Sequence, residues 1–277
     1  MTTERIPLAG VIGSPIAHSK SPQLHMYWLR TYGLKGHYIP MDVSGENLEI
    51  VLKTLPKMGF VGVNITVPHK LRALELADLI TDRATLIGAA NTLIFRKDGK
   101  IHADNTDGYG FIENLRQGAP NWNPKAGPAA VLGAGGAARA VVASLIDVGV
   151  PEIMISNRTR VRAEKLAEDF GNRLRVVEWV KAGNMLEDAR TVVNTTSLGM
   201  LGKPELRVPL DGLRKDAVVT DLVYNPLETR LLRVAREMGC VTVDGLGMLL
   251  HQAVPAFERW FGQRPEVDKA TRAAALR

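Results

Sequence analysis

The run Gly133-Ala134-Gly135-Gly136-Ala137-Ala138 is the feature that most restricts what this 277-residue chain can fold into. It follows a short apolar strand pattern at 129–132 and opens an alanine-rich helical pattern that continues to about residue 148. A G-x-G-x-x-G/A spacing between strand and helix is the fingerprint of a dinucleotide-binding βαβ unit. Glycine permits the tight turn and lets the backbone approach a pyrophosphate at the helix N-terminus, while Ala138 in the third place allows close helix–sheet packing. A turn needed for packing alone would use the same residues, so the next strand matters. That strand, 152–156, ends in Asn157-Arg158-Thr159, with Arg162 one helical turn later. NAD-binding units place an acid here for the ribose 2′-hydroxyl. This chain has none. Two guanidinium groups and a hydroxyl suit a 2′-phosphate, unless both arginines only face solvent. The missing acid favours NADP over NAD.

Apolar runs alternate with helical patterns along the whole chain, which predicts an α/β fold. In the first half, strands are predicted at 8–12, 37–40 and 61–65, with a hairpin-like pair at 92–95 and 100–103 around Asp98-Gly99. Helices are predicted at 22–32, 46–55, 69–76 and 81–87, then a connecting helix at 108–116. The breaker-rich segment 118–128 marks a boundary. Beyond the first βαβ unit, the pattern predicts a helix at 160–170 stopped by Gly171, strands at 192–194, 218–222 and 240–243, and helices at 228–238 and 248–261.

Composition narrows the function classes. Hydrophobic residues make up 45% and charged residues 23%, as in a soluble globular protein with a real core. No apolar run reaches the ~18–20 residues that span a bilayer, which predicts no membrane partner. Residues 1–10 lack the apolar core of a signal peptide. The single cysteine, Cys240, forbids an internal disulfide and points to a reducing, cytoplasmic location. The net charge of +6 is dispersed and aromatics are only 5%, so the chain is not read as a nucleic-acid binder; an anionic ligand accounts for the excess. His18, His25, His37, His69, His102 and His251 show no metal-ligand spacing, so no metal is expected.

The first half carries several polar knots. Ser19 and Ser21 flank the start of a helix with Pro22 in its first turn, so they suit either a helix cap or a ligand carboxylate. The motif with Asn64, Thr66 and Lys70 sits at the end of an apolar strand, where open α/β sheets bind ligands. Gly88-Ala89-Ala90-Asn91-Thr92 and Asn105-Thr106-Asp107-Gly108 are each compatible with ordinary turns, and Lys70 alone with a surface lysine.

Taken in order, these motifs resemble one family. The set is Pro15-Ile16-x-His18-Ser19-x-Ser21-Pro22, Asn64-x-Thr66-x-Pro68-x-Lys70, Gly88-Ala-Ala-Asn91-Thr92, Asn105-Thr106-Asp107-Gly108 and the glycine turn with Arg139. Asn157-Arg158-Thr159, Asn194-Thr195-Thr196-Ser197-x-Gly199-Met200, Asp221-x-x-Tyr224-x-Pro226 and Gly245-x-x-Met248-Leu249-x-x-Gln252 complete it. The chain is similar to the shikimate dehydrogenases from Ile6 to its last helix. One position departs: Met26 follows His25 where many members carry Asn.

The resemblance implies reversible NADPH-dependent reduction of 3-dehydroshikimate to shikimate, a step towards chorismate and the aromatic amino acids. It implies an α/β substrate domain, 1–105 plus 245–277, a doubly wound Rossmann NADP-binding domain, 106–244, and a cleft between them. Lys70 and Asp107 would be the acid–base pair, since a ketone receiving hydride develops alkoxide charge and needs a proton donor. Ser19 and Ser21 would meet the substrate carboxylate, Asn91 and Asp107 the ring hydroxyls, and Asn64, Thr66, Tyr224 and Gln252 would complete that site. The cofactor would be held by Gly133, Ala134, Gly135, Gly136, Ala137, Asn157, Arg158, Thr159 and Arg162. Thr195, Thr196, Ser197, Leu222, Gly245 and Met248 would join them, Met248 near the nicotinamide. A monomer or homodimer is expected. Two alternatives stay open: a quinate/shikimate dehydrogenase with looser cofactor choice, and a non-catalytic NADP-binding regulator on the same fold, against which the presence of both Lys70 and Asp107 argues.

Overall fold

The computed structural model describes residues 6–276; residues 1–5, part of the leading segment read above, lie outside them. The chain forms two units, each with its own six-stranded sheet. One unit runs to Thr106 and resumes at Leu250; the other is Asp107–Leu249.

The first unit is built from β1 (Leu8–Gly13), α1 (Ser21–Thr31), β2 (His37–Asp42), α2 (Leu48–Thr54), β3 (Phe60–Ile65), α3 (Lys70–Glu75), β4 (Leu79–Ile80), α4 (Asp82–Ile87), β5 (Thr92–Phe95) and β6 (Ile101–Asp104). Its strand order is β2-β1-β3-β5-β6-β4. β1 is parallel to β2 and β3, whereas β5 runs antiparallel to both β3 and β6. The antiparallel register sets Asn64 opposite Thr92, which brings two of the sequence's polar knots side by side. Ile12, Leu52, Val63, Ile65 and Leu93 form the core on one side of the sheet. Ala9, Val11, Tyr38, Ala256 and Trp260 form a second cluster. Gly62 is required where these layers meet: a Cβ there would run into the Trp260 indole and the Leu93 carbonyl.

The second unit contains α5 (Asp107–Gly118), β7 (Ala129–Leu132), α6 (Gly136–Asp147), β8 (Ile153–Ser156), α7 (Arg160–Phe170), β9 (Leu174–Val177), β10 (Thr191–Asn194), β11 (Val218–Asp221), α8 (Arg230–Glu237), β12 (Val241–Val243) and the start of α9 (Leu246–Phe261). All strands are parallel, in the order β12-β11-β10-β7-β8-β9. β7, β8, β10 and β11 are buried along their full length, as strands covered by helices on both faces should be. Strand order reverses between β7 and β10, and open α/β sheets bind ligands at the carboxyl ends around such a point. A last helix, α10 (Lys269–Leu276), belongs to the first unit and packs on α1, where Trp28 Nε1 donates to Thr271 Oγ1 at 3.4 Å.

Both units are α/β, as the alternating patterns predict. The helix predicted at 46–55 gives way to a 3₁₀ turn, Leu55–Met58, with Pro56 in its first positions. The sequence reading lacks β4, β9, α10 and a 3₁₀ segment, Trp179–Leu186. Among the described residues, no helix is long and apolar enough to cross a membrane.

Candidate active site

In the second unit the chain leaves β7 at Gly133, whose φ of 109° lies in the left-handed region that favours glycine. A Cβ there would crowd Thr195 Oγ1 at 2.5 Å and Thr196 Cγ2 at 2.9 Å, so the glycine turn lies against the loop after β10. Gly135 precedes the twelve residues of α6 with no side-chain cap bond. A Cβ on Gly135 or Gly136 would meet nothing within 4 Å, which leaves open space over the start of the helix. Amides of a first helical turn lack intrahelical partners and favour anions.

A cleft of about 680 Å³ opens beside this turn. Of the predicted cofactor residues, Gly133, Ala134, Gly135, Asn157, Arg158 and Arg162 line it, as do Thr195, Thr196 and Ser197. A smaller hollow next to it takes in Gly136, along with Arg139 and Lys165. Asn157 also binds the turn itself: its Oδ1 accepts from Ala134 N–H at 3.2 Å and its Nδ2 donates to Thr159 O at 2.8 Å. Ala137, Thr159, Leu222, Gly245 and Met248 do not line the cleft. Thr159 precedes α7 without a side-chain cap bond. Gly245 packs so closely on the Asp221–Leu222 backbone that a Cβ would strike the Leu222 carbonyl. The sequence reading missed Trp179, Glu205 and Arg207, which also line the cleft from segments outside the βαβ motif.

The cleft loop after β10 is held by a buried carboxylate. Asp221 Oδ1 accepts from Asn194 Nδ2 at 2.9 Å and Val223 N–H at 3.0 Å, and Thr229 Oγ1 donates to its Oδ2 at 2.7 Å. Asn194 Oδ1 in turn accepts from Thr196 N–H at 3.0 Å and Thr196 Oγ1 at 2.7 Å. Burial pushes the Asp221 carboxyl up to about 6, against the opposing pull of these donors.

In the first unit, Lys20 rather than Ser19 or Ser21 precedes α1, and it makes no side-chain cap bond. Ser21 is the buried first residue of the helix, and its N–H donates to Ser19 Oγ at 3.3 Å. From here a buried polar chain crosses the unit. Tyr38 Oη donates to Asn64 Oδ1 at 2.7 Å, and Asn64 Nδ2 donates to Asn91 O and Thr92 Oγ1, both at 3.1 Å. Asn91 Oδ1 accepts from Thr92 Oγ1, Thr106 N–H and Thr106 Oγ1 at 2.9–3.1 Å. With its oxygen so occupied, Asn91 turns Nδ2 outward to Gln252 Oε1, at 3.3 Å. Lys70 opens α3 half-buried, and its carbonyl accepts from Ala90 N–H at 2.9 Å, tying it to the neighbour of Asn91. Thr66 is half-buried at the end of β3, its N–H donating to Ile12 O at 2.9 Å. The unit thus brings Asn64, Asn91 and Gln252 into one network, with Lys70 tied to it through the backbone.

Two further groups hold this network. Burial disfavours the Asp104 carboxylate, but Arg83, Thr81 and the Asn105 N–H outweigh that effect and keep its pKa below the usual value. The His25 ring stacks on Tyr38 with centroids 3.9 Å apart and planes 9° apart. Neither His25 nitrogen has a hydrogen-bond partner, and burial lowers its pKa to about 3, so it is a neutral aromatic wall. Asp107 and Tyr224 belong to the second unit, half-buried at the start of α5 and after β11. Among the described residues, no group of three His, Cys, Asp or Glu is arranged to hold a metal.

Three family models match the chain. Residues 11–93 match the shikimate dehydrogenase substrate binding domain, 121–201 match shikimate / quinate 5-dehydrogenase, and 245–275 match the shikimate 5′-dehydrogenase C-terminal domain. A shikimate dehydrogenase (NADP(+)) of Cereibacter sphaeroides is 72% identical over 272 residues, covering 98% of each chain. The structure of shikimate 5-dehydrogenase from Thermus thermophilus in complex with NADP(H) and shikimate superposes with a TM-score of 0.86 at 39% identity, covering 98% of this chain and 99% of that one. Quinate dehydrogenase from Corynebacterium glutamicum in complex with NAD gives 0.90 at 34% identity, covering 97% and 98%.

Proposed function

The chain belongs to the shikimate dehydrogenase family, and we propose that it catalyses the reversible NADPH-dependent reduction of 3-dehydroshikimate to shikimate. The observation that carries this reading is the cleft at the strand-order reversal, lined by the glycine turn together with Arg158 and Arg162. Its donors fit the cofactor. Open space stands over Gly135 and Gly136, where a pyrophosphate needs close backbone approach. No acid stands at the end of β8 to bind a 2′-hydroxyl, and two arginines stand where a 2′-phosphate would lie. When bound, the cofactor supplies the hydride.

The first unit supplies the substrate side. Ser19 and Ser21 receive the carboxylate, and Asn64, Thr66, Asn91 and Gln252 receive ring hydroxyls through an array whose amide orientations are already fixed. Lys70 and Asp107 serve as the acid–base pair that supplies the proton to the ketone oxygen, and Asp107 also meets the ring hydroxyls. Tyr224 closes the ring site, and Ala137, Thr159, Leu222, Gly245 and Met248 complete the cofactor side. The first unit is the substrate domain and the second the NADP domain, in a cytoplasmic monomer or homodimer.

The likeness to an NAD-bound quinate dehydrogenase favours one alternative, a dual-substrate enzyme. Initial rates for shikimate and quinate, each with NADP+ and NAD+, separate the two. Shikimate with NADP+ should have the highest kcat/KM. Comparable values for quinate or for NAD+ would establish the broader enzyme.

A further inference from the structure

Most arginines of the second unit are spoken for. Arg139 pairs with Asp169, Arg160 with Glu164 and Glu178, Arg175 with Glu152, and Arg190 and Arg214 with Asp216. The three that line the large cleft behave differently. Among the described residues, Arg158, Arg162 and Arg207 have no carboxylate partner. One carboxylate, Glu205, lines the same cleft against these three guanidinium groups, which leaves it net positive. Like charges gathered in one concavity repel each other, and an anionic ligand relieves that repulsion.

Arg158 and Arg162 belong to the βαβ motif, but Arg207 does not. It sits on an extended segment in which Leu206, Val208 and Leu210 are buried while Glu205, Arg207 and Pro209 are exposed. The three apolar side chains enter the core beneath the sheet. Arg230 Nη1 donates to Leu206 O at 3.0 Å, and Gly199 N–H donates to Pro204 O at 2.8 Å, so the segment is tied down at both places. The backbone that presents Arg207 is therefore anchored by packing. Trp179, packed against the same core, lines the cleft as well.

We propose that Arg207 is a third arginine of the site that tells a 2′-phosphorylated adenosine from an unphosphorylated one. This rests on the NADP reading above. A phosphate dianion presents three oxygens and takes forked donors from more than one guanidinium, each charge-assisted.

The test is calorimetric binding of NADP+, NAD+ and adenosine 2′-monophosphate to the full chain and to Arg207→Ala and Arg207→Lys. We expect Arg207→Ala to weaken NADP+ and adenosine 2′-monophosphate about tenfold and NAD+ less than about twofold, with the loss shrinking at high salt. Arg207→Lys should recover part of it, because the charge returns without the fork. An unchanged NADP+ affinity in Arg207→Ala, or equal losses for NADP+ and NAD+, would overturn the proposal. A wild-type protein that binds both dinucleotides equally would instead overturn the NADP reading itself. Thermal melting of each variant shows that the fold is intact.

Discussion

Tyr38 Oη donates to Asn64 Oδ1 at 2.7 Å in the interior of the first unit. The phenol has one proton, and spending it here leaves the Asn64 nitrogen to face Asn91 O and Thr92 Oγ1. The His25 ring, stacked flat on Tyr38, holds the phenol in place without competing for that proton. The orientation of one amide, and through it the neighbouring asparagine, thus depends on an aromatic pair.

Tyr38→Phe keeps the stack and removes the donor. Asn64 Oδ1 then stays buried without its partner, which costs about 1–3 kcal/mol. Urea denaturation should show that loss, and KM for shikimate should rise several-fold with NADP+ affinity unchanged. A stability loss with unaltered KM would confine the bond to folding.

Lys70→Ala should lower kcat by ~10²–10⁴-fold, the usual range for general acid–base catalysis. Calorimetry should find NADP+ binding nearly intact, because Lys70 belongs to the unit without the glycine turn. A variant that keeps more than about a tenth of the wild-type kcat would remove the lysine from the chemistry.

Gly133 and Gly135 should respond oppositely to alanine. Gly133→Ala meets a left-handed φ and two threonines, so it should cost about 1–3 kcal/mol and lower the melting temperature. Gly135→Ala meets no protein atom within 4 Å, so its melting temperature should match wild type. It should still weaken NADP+, because the new methyl occupies space the cofactor needs. Equal melting losses in both variants would contradict this division.

Asp221 makes stability depend on pH in a defined direction. Its folded value, about 6, lies above the ordinary 3.8, so the native state binds a proton more tightly than the unfolded chain. The associated stabilisation is complete below about pH 4 and is lost as pH rises through about 6, a swing of about 3 kcal/mol. Asp221→Asn lacks this titration. The unfolding free energy of wild type minus variant should therefore fall between pH 4 and pH 7; a flat difference would show that the carboxylate is not strained by burial.

The second sheet was legible because its motifs are local. A glycine turn between β7 and α6, and the acid-free end of β8, are each read within a few residues. β9 was not, because Leu174–Val177 is four residues long with Arg175 in its middle, and its identity as a strand comes only from pairing with β8. The same holds at the site. Asn64 and Asn91 stand in recognisable motifs, but Tyr38 sits in an ordinary apolar strand, and its role appears only when β2 and β3 flank β1. Arg207 lay in a stretch with no regular structure, and nothing near it in sequence marks a ligand. The alternation of Leu206, Val208 and Leu210 with Glu205, Arg207 and Pro209 was the available signal. The unit boundary was hard to place because it falls inside α9, between Leu249 and Leu250, where the helix runs on.

That alternating segment separates two kinds of change. Replacing Leu206, Val208 or Leu210 alters the interior, whereas Glu205, Arg207 and Pro209 face outward. Charge, size and hydrogen-bonding capacity at Glu205 and Arg207 can be exchanged while the buried side chains keep the segment in place, whereas Pro209 packs near Gly183. The segment therefore works as a socket with interchangeable fittings, and a library confined to 205 and 207, the two outward positions of the alternation that line the cleft, is the compact place to retune which nucleotide the protein accepts.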